Sequence, residues 1–373
     1  MHLIKDIHPV ITVIHNLKEF CMIKELLKEK SVWEKLMATD KPIILYGMGD
    51  GADRVLNEFS VLNINISGVM ASDGFVRGQT FHGFTVQTLD QVKEDFDNFI
   101  ILITFGTDKP DVIEKIKELS KEYTVLVPSV PVAGEKIFNR GYLMRNGTEI
   151  MEAFNLMEDE ESREVFKNMC YFQYTGELEY LFAMESSKDD AYKILNLTSE
   201  ENYLDLGAYR GDTIAEFLKY TCNRYKSITA LEPDAKTYKK LVENMGELPN
   251  TKLIAKGIWN IDGEVCFATG KGRGSVLNNK EGVLTPVTCI DTIAKETPFT
   301  YVKMDVEGVE FVVLYGGYEY LQSNKPKLNV ACYHRCCDIY RLPLMLKRVN
   351  PEYKIYMRHH PCIPSWETNL YCI

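Results

Sequence analysis

Buried strands and amphipathic helices alternate in two separate stretches of this 373-residue chain. Alternation of this kind produces a parallel sheet with helices on both faces. We therefore predict an α/β fold with two doubly wound sheets in tandem. The first sheet is expected within residues 41–128 and the second within 201–373. An amino-terminal helical segment (1–40) precedes them, and a charged helical connector (129–200) separates them.

Apolar runs and their periodicity locate the individual elements. The strands predicted for the first sheet are Ile43–Tyr46, Ile64–Met70, Phe99–Thr104 and Val125–Val127. Those predicted for the second are Tyr203–Leu206, Ile228–Leu231, Thr251–Lys256, Glu264–Ala268, Tyr301–Met304, Lys327–Ala331 and Lys354–Met357. Helices are expected at Asp53–Phe59, Asp111–Glu122, Ile214–Tyr220 and Ala235–Asn244.

Charge and cysteine content limit the classes of partner. A net charge of −10 argues against a broad surface for nucleic acid or an anionic membrane. The most apolar stretch, Phe99–Phe105, is far shorter than the roughly 20 residues that span a bilayer. Met1–Phe20 lacks the pattern of a signal peptide, so we expect a cytoplasmic protein. The ten cysteines are spread through a long chain, which favours free thiols over a disulfide scaffold.

The most informative turn opens the second alternation, in Asn202–Thr213 (Asn-Tyr-Leu-Asp-Leu-Gly-Ala-Tyr-Arg-Gly-Asp-Thr). A glycine at a strand end lets the backbone approach a ligand, and the N–H groups that begin the next helix point towards it. Asp205 would repel a pyrophosphate but attract the ammonium group of an amino-acid cofactor. The spacing of Gly207 and Gly211, which we call the second glycine turn, also differs from the dinucleotide pattern.

A further acid ends the next predicted strand. Glu232 follows the second glycine turn by about 20 to 30 residues, where a carboxylate can bind both ribose hydroxyls. Pro233 stops the strand. The structural alternative is that Glu232 only caps the following helix. Two acids in this register favour a nucleoside cofactor that carries an amino-acid group.

Four motifs occur in order between residues 200 and 373. They are Leu204–Thr213, Leu231–Asp234 with Leu241 and Asn244, Thr288–Ile293, and Val302–Glu310 with Leu314 and Gly316. Together they make this part of the chain similar to the FkbM-type methyltransferases. The resemblance implies a class I methyltransferase domain that binds S-adenosylmethionine and methylates a hydroxyl oxygen. One position departs from the pattern, because many members have Asn where this chain has Tyr209.

The motifs and the resemblance define the predicted sites. The predicted cofactor, S-adenosylmethionine, is assigned to Asp205, Gly207, Tyr209, Gly211, Asp212, Thr213, Glu232, Pro233, Gly257 and Trp259. The candidates for the general base are Asp305, Glu307 and His334, because each follows a predicted strand at the edge where α/β folds bind ligands. The alternatives are that Lys303 only pairs with one of the acids and that His334 is structural. The resemblance also favours a helix over Val309–Tyr315 that stops at Gly316–Gly317.

No metal site is predicted. Four residues with metal-binding side chains crowd together, namely Cys332, His334, Cys336 and Cys337. The second pair that a zinc site needs is poor, although His359, His360 and Cys362 lie downstream. A divalent ion at Asp305 and Glu307 is left open. His359 and His360 are expected in a solvated turn, with a place beside the acceptor as the alternative.

The first alternation carries a weaker signal. Gly47, Gly49 and Gly51 fit the G-x-G-x-x-[GA] pattern between a strand and a helix, which is the context of a nucleotide site. We call them the first glycine turn. Gly78–Val86 is a turn-and-strand segment typical of the small Rossmann-like domains that precede sugar-modifying transferases. A nucleotide site and a degenerate scaffold both remain open for this region.

The sequence therefore predicts an S-adenosylmethionine-dependent methyltransferase that acts on the hydroxyl of a sugar or another small molecule. Its partner is expected to be a small-molecule or glycan acceptor, with a nucleotide-linked form left open, and not nucleic acid. A homo-oligomer also stays open. The alternatives are an NAD-dependent oxidoreductase that acts through the first glycine turn and a non-catalytic nucleotide-binding scaffold.

Overall fold

The computed structural model describes residues 21–134, 136–268 and 282–373. The helical prediction for residues 1–20 lies outside these ranges. Two short helices, α1 (Cys21–Leu26) and α2 (Val32–Met37), precede the first sheet. Ser31 caps α2 reciprocally with Glu34, which fixes where this helix begins.

The first sheet has short strands with helices between them. Its strands are β1 (Ile43–Tyr46), β2 (Gly68–Met70), β3 (Thr80–Phe81), β4 (Phe84–Gln87), β5 (Ile100–Ile103) and β6 (Thr124–Leu126), and its helices are α3 (Asp50–Leu62), α4 (Leu89–Asp95) and α5 (Pro110–Glu122). The order is β3-β4-β2-β1-β5-β6, with every pair parallel except β3–β4. The four predicted strands are present, and β3–β4 is the hairpin within the Gly78–Val86 segment.

The connector is helical, as predicted. It contains α6 (Arg140–Asn155), α7 (Glu160–Thr175), α8 (Leu178–Ala183) and α9 (Lys188–Leu195). Isolated β-bridges join it to both sheets, from Glu177 to Leu126 and from Met157 to Ile355.

The second sheet has seven strands. They are β7 (Asn202–Leu206), β8 (Ser227–Leu231), β9 (Thr251–Ile254), β13 (Tyr301–Met304), β14 (Lys327–Ala331), β15 (Ile355–His359) and β16 (Thr368–Cys372), in the order β15-β16-β14-β13-β7-β8-β9. Only β16 runs antiparallel to its neighbours. A small separate sheet has the order β10-β12-β11, from Gly257–Ile258, Gly282–Thr288 and Gly263–Ala268.

The helices of the second half begin with α10 (Asp212–Tyr220), α11 (Ala235–Met245) and α12 (Ile290–Ile293), and continue with α13 (Glu310–Gly316), α14 (Tyr318–Asn324) and α15 (Asp338–Val349). Thus Val309–Tyr315 is mostly helical despite its β-branched residues, and Gly317 separates two helices. The structure also contains strands that were not predicted, among them β12 and β16. Strand β12 contains Pro286, which cannot donate a backbone hydrogen bond to a sheet.

Apolar clusters cover both faces of each sheet. Ile44 and Leu204, from the central strands of the two sheets, belong to one continuous cluster that includes Phe166 of the connector. The neighbouring residues Leu45 and Tyr203 point to the opposite faces, into two separate clusters. Within the described ranges, none of the helices has both the length and the apolar character needed to cross a bilayer.

The carboxyl ends of the two sheets meet. The segment after β6 packs against the second sheet, because the Ala133 N–H donates to the carbonyl of His334 at 2.9 Å. Arg54 of α3 donates to the Pro131 carbonyl at 2.9 Å, so the same segment is held from both sides. Further along the edge, Thr107 and Ile363 exchange two backbone hydrogen bonds of 2.7 and 2.9 Å.

Candidate active site

Four predicted side chains lie at the carboxyl edge of the second sheet. Asp205 is in β7, whereas Glu232, Asp305 and His334 follow β8, β13 and β14. The chain continues from β7 to β8 on one side, and β13 lies on the other side of β7. Such a switch point opens a crevice where α/β folds bind ligands.

The second glycine turn is shaped by packing inside the protein. Gly207 has φ of +84°, and a Cβ at this position would lie 2.0 Å from the Asp305 carbonyl oxygen. Glycine is therefore required so that the ends of β7 and β13 can approach each other. A Cβ at Gly211 would meet the side chain of Met245 at 2.5 Å.

Tyr209 adopts a left-handed conformation, with φ of 47°. Asparagine tolerates this region better than tyrosine, which gives a backbone reason for the Asn that many FkbM-type members have here. Asn244 donates to the Arg210 carbonyl at 2.9 Å and steadies the turn. The side chain of Tyr209 is about one-third exposed and lies under the Arg210 guanidinium.

Asp205 is fully buried. Thr213 donates to its Oδ2, whereas Oδ1 has no hydrogen-bond partner among the described residues. Burial raises the pKa of Asp205 to about 6, although Lys303 and Thr213 oppose the shift. The carboxyl group is thus placed beneath the start of α10, in a low-dielectric position that favours a nearby cation.

Glu232 ties two loops together. Its Oε2 accepts from the Tyr209 N–H at 3.1 Å, and its Oε1 accepts from the Asp234 N–H at 2.9 Å. Burial raises the pKa of Glu232 to about 7 despite these two hydrogen bonds. Asp234 is the residue that caps α11, through the Thr237 N–H, so the alternative in which Glu232 is the helix cap is wrong.

Lys303 lies among the acids, as its position in the strand suggested. It pairs in register with Asp205, and its Nζ lies 3.4 Å from Asp305 Oδ2. Burial lowers the pKa of Lys303, but Asp305 and Asp205 outweigh this effect and raise it above its ordinary value. Glu367 contributes to the same field. This part of the crevice therefore combines one buried cation with several carboxylates.

His334 is buried between carboxylates. Its Nε2 lies 3.3 Å from Asp305 Oδ1 and 3.7 Å from Glu307 Oε2, and its Nδ1 lies 2.9 Å from Glu310 Oε1. Burial lowers the pKa of His334, but Glu310 and Asp305 outweigh it and hold the pKa well above the usual value. Burial likewise raises the pKa of Asp305, but Lys303 and His334 prevail and keep it below its ordinary range.

We call residues Asp305–Gly308 the acidic turn. Glu307 has φ of 57° and Gly308 has φ of 91°, so two successive residues are left-handed. A strained non-glycine residue at a strand end is common where chemistry takes place. Asp305 and Glu307 keep 27% and 37% of their side-chain surface exposed, whereas His334 keeps 2%. The acids, rather than the histidine, face the crevice.

Asp305, Glu310 and His334 also offer metal-ligand atoms within 4.8 Å of one another. The two carboxylates approach opposite nitrogens of the imidazole. An ion at one nitrogen would therefore contact only one of them in the described side-chain positions. The arrangement fits a protonated ring between two acids better than a single metal ion.

The other predicted cofactor residues are placed less centrally. Asp212 and Pro233 are exposed next to the two acid-bearing strand ends. Gly257 is buried in β10, and the Trp259 N–H donates to the Thr288 carbonyl at 2.8 Å. Gly257 thus lies in the small sheet and Trp259 directly follows β10, with its backbone close to the tightly packed Gly316.

The prediction of a solvated turn at His359 and His360 is wrong. Both are buried, because β15 extends to His359 and the connector covers its end. His360 contacts the Ser186 carbonyl at 3.0 Å and the Tyr371 hydroxyl at 2.8 Å. Burial lowers the pKa of His359 to about 3. These histidines are neutral structural groups of the second sheet.

The first glycine turn lies between β1 and α3. A Cβ at Gly51 would lie 2.2 Å from the Thr104 carbonyl oxygen, and one at Gly47 would lie 2.7 Å from Thr104 Oγ1. Gly49 is exposed and has open space around its Cα. Two of the three glycines are thus explained by packing against the end of β5.

Three residues near the acids were not assigned a role from the sequence. Glu310 closes the acidic turn, Tyr333 donates to Asp305 Oδ2 at 3.2 Å, and Glu367 adds charge from the loop before β16. Glu310 and Tyr333 lay in or beside motifs that were already recognised. No sequence motif around Glu367 indicated a role, because only the fold brings this residue to the carboxyl edge of the second sheet.

Comparison with known proteins identifies the family of this part of the chain. Residues 205–347 match the model of the family described as the methyltransferase FkbM domain. A crystal structure of methyltransferase FkbM from Methylobacillus flagellatus KT is 18% identical, covers 96% of this chain and 96% of that chain, and has a TM-score of 0.69. No curated protein matches the sequence.

Two other solved methyltransferase-related structures show a weaker similarity. Precorrin-6y C5,15-methyltransferase from Geobacter metallireducens GS-15 is 12% identical over 51% of this chain and 92% of that chain, with a TM-score of 0.32. Fibrillarin from Aeropyrum pernix, in complex with S-adenosyl-L-methionine, is 14% identical over 50% and 74%, also at 0.32.

The fold is therefore that of a two-sheet α/β protein, shared along its whole length with a solved FkbM methyltransferase. The carboxyl-terminal part of this chain carries a methyltransferase FkbM domain, as its motifs predicted.

Proposed function

We propose that this protein is an S-adenosylmethionine-dependent O-methyltransferase whose acceptor is the hydroxyl of a sugar or another small molecule. The observation that carries the proposal is the pair of buried carboxyl groups at adjacent strand ends, Asp205 and Glu232, within the methyltransferase domain. Their raised pKa values reflect a low-dielectric site in which a cationic nucleoside ligand would be favoured.

The residues present fit the cofactor. Glu232 has two carboxylate oxygens that each accept one backbone hydrogen bond, which leaves lone pairs for ribose hydroxyls. Asp205 Oδ1 has no hydrogen-bond partner among the described residues, and its charge acts on the crevice where an ammonium group would lie. Thr213 and the start of α10 border the same position. When bound, S-adenosylmethionine supplies an electrophilic methyl group on a sulfonium centre.

Of the three predicted catalytic residues, we assign Asp305 to the acceptor hydroxyl. It is partly exposed, and Lys303 and His334 keep it ionised. A carboxylate with so low a pKa is a weak base, so its task is to accept a hydrogen bond and aim the hydroxyl oxygen. The hydroxyl proton passes to Asp305 late, as the new bond to carbon forms. Glu307 lies next to it with its side chain towards solvent.

Calorimetry with S-adenosylhomocysteine tests the cofactor site. Glu232→Ala should weaken binding about 10- to 100-fold, since it removes hydrogen bonds to a charged group. Asp234→Ala is the matched control, because it removes an equal charge two residues away and only a helix cap. This variant should bind within about twofold of wild type. Equal affinity of all three proteins would remove the basis of the proposal.

We also propose that the first glycine turn holds the nucleotide part of a nucleotide-linked acceptor. The support is spatial, because the segment that contains Pro131 and Ala133 contacts both α3 and the acidic turn. Thermal unfolding with UDP-glucose and dTDP-glucose tests it. Gly49→Asp has room for a side chain, so it should fold and abolish any shift. An equal shift in both proteins, or none in wild type, contradicts the idea.

The competing functions make different binding predictions. An NAD-dependent oxidoreductase would bind NAD(H) through the first glycine turn, and a scaffold would bind S-adenosylhomocysteine without turnover.

The free thiols among the described cysteines support the cytoplasm, a reducing compartment, as the proposed location.

A further inference from the structure

Glu310 lies behind the acidic turn, at the start of α13. It is fully buried, and its Oε1 accepts from the Val306 N–H at 3.0 Å and the Gly308 N–H at 3.3 Å. The same oxygen lies 2.9 Å from Nδ1 of His334, which is an ion-pair contact without hydrogen-bond geometry, since this nitrogen has no hydrogen-bond partner among the described residues. The other nitrogen of the ring, Nε2, faces Asp305 at 3.3 Å. Glu310, His334 and Asp305 therefore form a line from the buried start of the helix to the crevice.

We propose that Glu310 is a positioning residue for methyl transfer, which fixes His334 through Nδ1 so that Nε2–H is held against Asp305. The inference rests on the proposed function for the assignment of Asp305 to the acceptor hydroxyl. Glu310 acts through the histidine and does not itself touch the acceptor.

The contacts of Glu310 exceed what the turn requires. Its two backbone hydrogen bonds would suffice to close the acidic turn. The carboxyl group nevertheless reaches the imidazole, and its Oε2 is left buried without a hydrogen-bond partner among the described residues. Burying a carboxylate is costly unless a cation compensates for it, and the His334 ring is the nearest group that can carry this charge. A protonated His334 adds to Lys303 in keeping Asp305 ionised and in place.

The groups around His334 favour the protonated ring. Asp305 and Glu307 face it from the acidic turn, Glu310 from α13, and Asp338 from α15. Against these acids stands Arg335, whose Nε donates to the Gly308 carbonyl at 2.5 Å. Burial opposes protonation, but the neighbouring carboxylates outweigh it. Removing the charge of Glu310 alone should therefore favour the neutral form of the His334 ring.

The test is nitrogen NMR of the full chain with ¹⁵N-labelled histidine, with His334→Asn to assign the signal. In wild type both ring nitrogens of His334 should stay protonated from about pH 6 to 8. In Glu310→Gln the ring should lose a proton within that range, with a pKa lower by at least about one unit. Glu310→Asp keeps the charge and should restore much of the wild-type behaviour.

Asp338→Asn is the matched control. It removes a second buried carboxylate, one that accepts from the Arg335 N–H instead of contacting the ring, and it should move the His334 signal less. A wild-type ring that titrates near its ordinary pKa, or an unchanged ring in Glu310→Gln, overturns the inference. If Glu310→Gln does not fold, the titrations of His334 in wild type and in Glu310→Asp still test the inference.

S-adenosylhomocysteine affinity separates this inference from the proposed function. Glu310→Gln should bind it within about twofold of wild type, because Glu232 and Asp205 are untouched. Failure of wild type to bind it counts against the proposed function and leaves the histidine titration readable. Loss of binding in Glu310→Gln alone would show a general structural role and contradict positioning.

Discussion

The two glycine turns of this protein have the same backbone problem and different surroundings. A Cβ at Gly51 would lie 2.2 Å from the Thr104 carbonyl, and one at Gly207 would lie 2.0 Å from the Asp305 carbonyl. In each sheet a glycine lets a loop pass close to the end of the neighbouring strand. Buried carboxyl groups with shifted pKa values surround only the second turn, where Asp205 and Glu232 lie.

A glycine pattern after a strand is therefore evidence of close backbone packing before it is evidence of a ligand site. At the first turn the nearby polar contacts are ordinary, such as the ion pair of Asp53 with His82, which is largely exposed. At the second turn the fold accepts the cost of burying acids, which is a stronger sign of a ligand site. The difference can be tested by measuring the effects of substitutions and of ligand binding at both turns.

The largest effect is expected from adding a methyl group at the tightly packed Gly207 of the second turn, compared with the exposed Gly49 of the first. Gly207→Ala should lower the free energy of unfolding by about 2–5 kcal/mol, since it combines a left-handed φ with a close backbone contact. Gly49→Ala has open space and should change it by less than about 1 kcal/mol. Urea unfolding of both variants measures this. Similar losses in both would mean that the second turn is no more constrained than the exposed position of the first.

The next effect concerns ligand binding. S-adenosylhomocysteine at about 100 times its dissociation constant should raise the free energy of unfolding by about 2.7 kcal/mol. Hydrogen exchange should slow at Gly207–Thr213 and around Glu232, and should stay unchanged at Gly47–Gly51. Protection confined to the first glycine turn would place the cofactor at the first sheet and contradict this prediction.

The third effect is a pH dependence that belongs to the second turn. Burial raises the pKa of Glu232 in the folded protein to about 7, above its ordinary value of 4.5. Its contribution to stability is therefore complete below about pH 4.5 and is lost as the pH rises through 7. Glu232→Gln removes this term, so between pH 5 and 8 stability should shift in favour of the variant by about 1–3 kcal/mol.

Urea unfolding of wild type and Glu232→Gln at about pH 5 and pH 8 measures that difference. The effect of any lost hydrogen bond cancels, because it is the same at both pH values. Asp53→Asn at the first turn is the control and should change stability by less than about 1 kcal/mol at either pH. A constant gap between wild type and Glu232→Gln would mean that Glu232 is ionised in the folded protein throughout.

The central elements were predictable because they are buried on both sides. Strands such as Ile43–Tyr46 and Ile100–Ile103 read as continuous apolar runs, which is typical of the middle of a parallel sheet. Helix starts were less clear. Helix α3 begins at Asp50 and α10 at Asp212, ahead of the predictions, because the first turn of each helix has polar or small residues outside the apolar stripe.

The site was predictable where a local motif carried it, as at Asp205 and Asp305. The burial of His359 and His360 was not, because the connector residue Ser186, far away in the sequence, covers them. The line from Glu310 to Asp305 was also hidden, since it depends on His334 of the next strand. Local sequence encodes which residues end a strand, and the fold decides which of them face each other.

The contact of Ala133 with the acidic turn limits how this protein can be divided. A Cβ at Gly308 would lie 2.5 Å from the Ala133 side chain, and the Ala133 N–H occupies the His334 carbonyl. A shortened chain that begins at residue 201 would expose this face and leave that carbonyl without its donor. We therefore expect the smallest stable form of the methyltransferase domain to include the connector as far back as Ala133, whatever the first sheet binds.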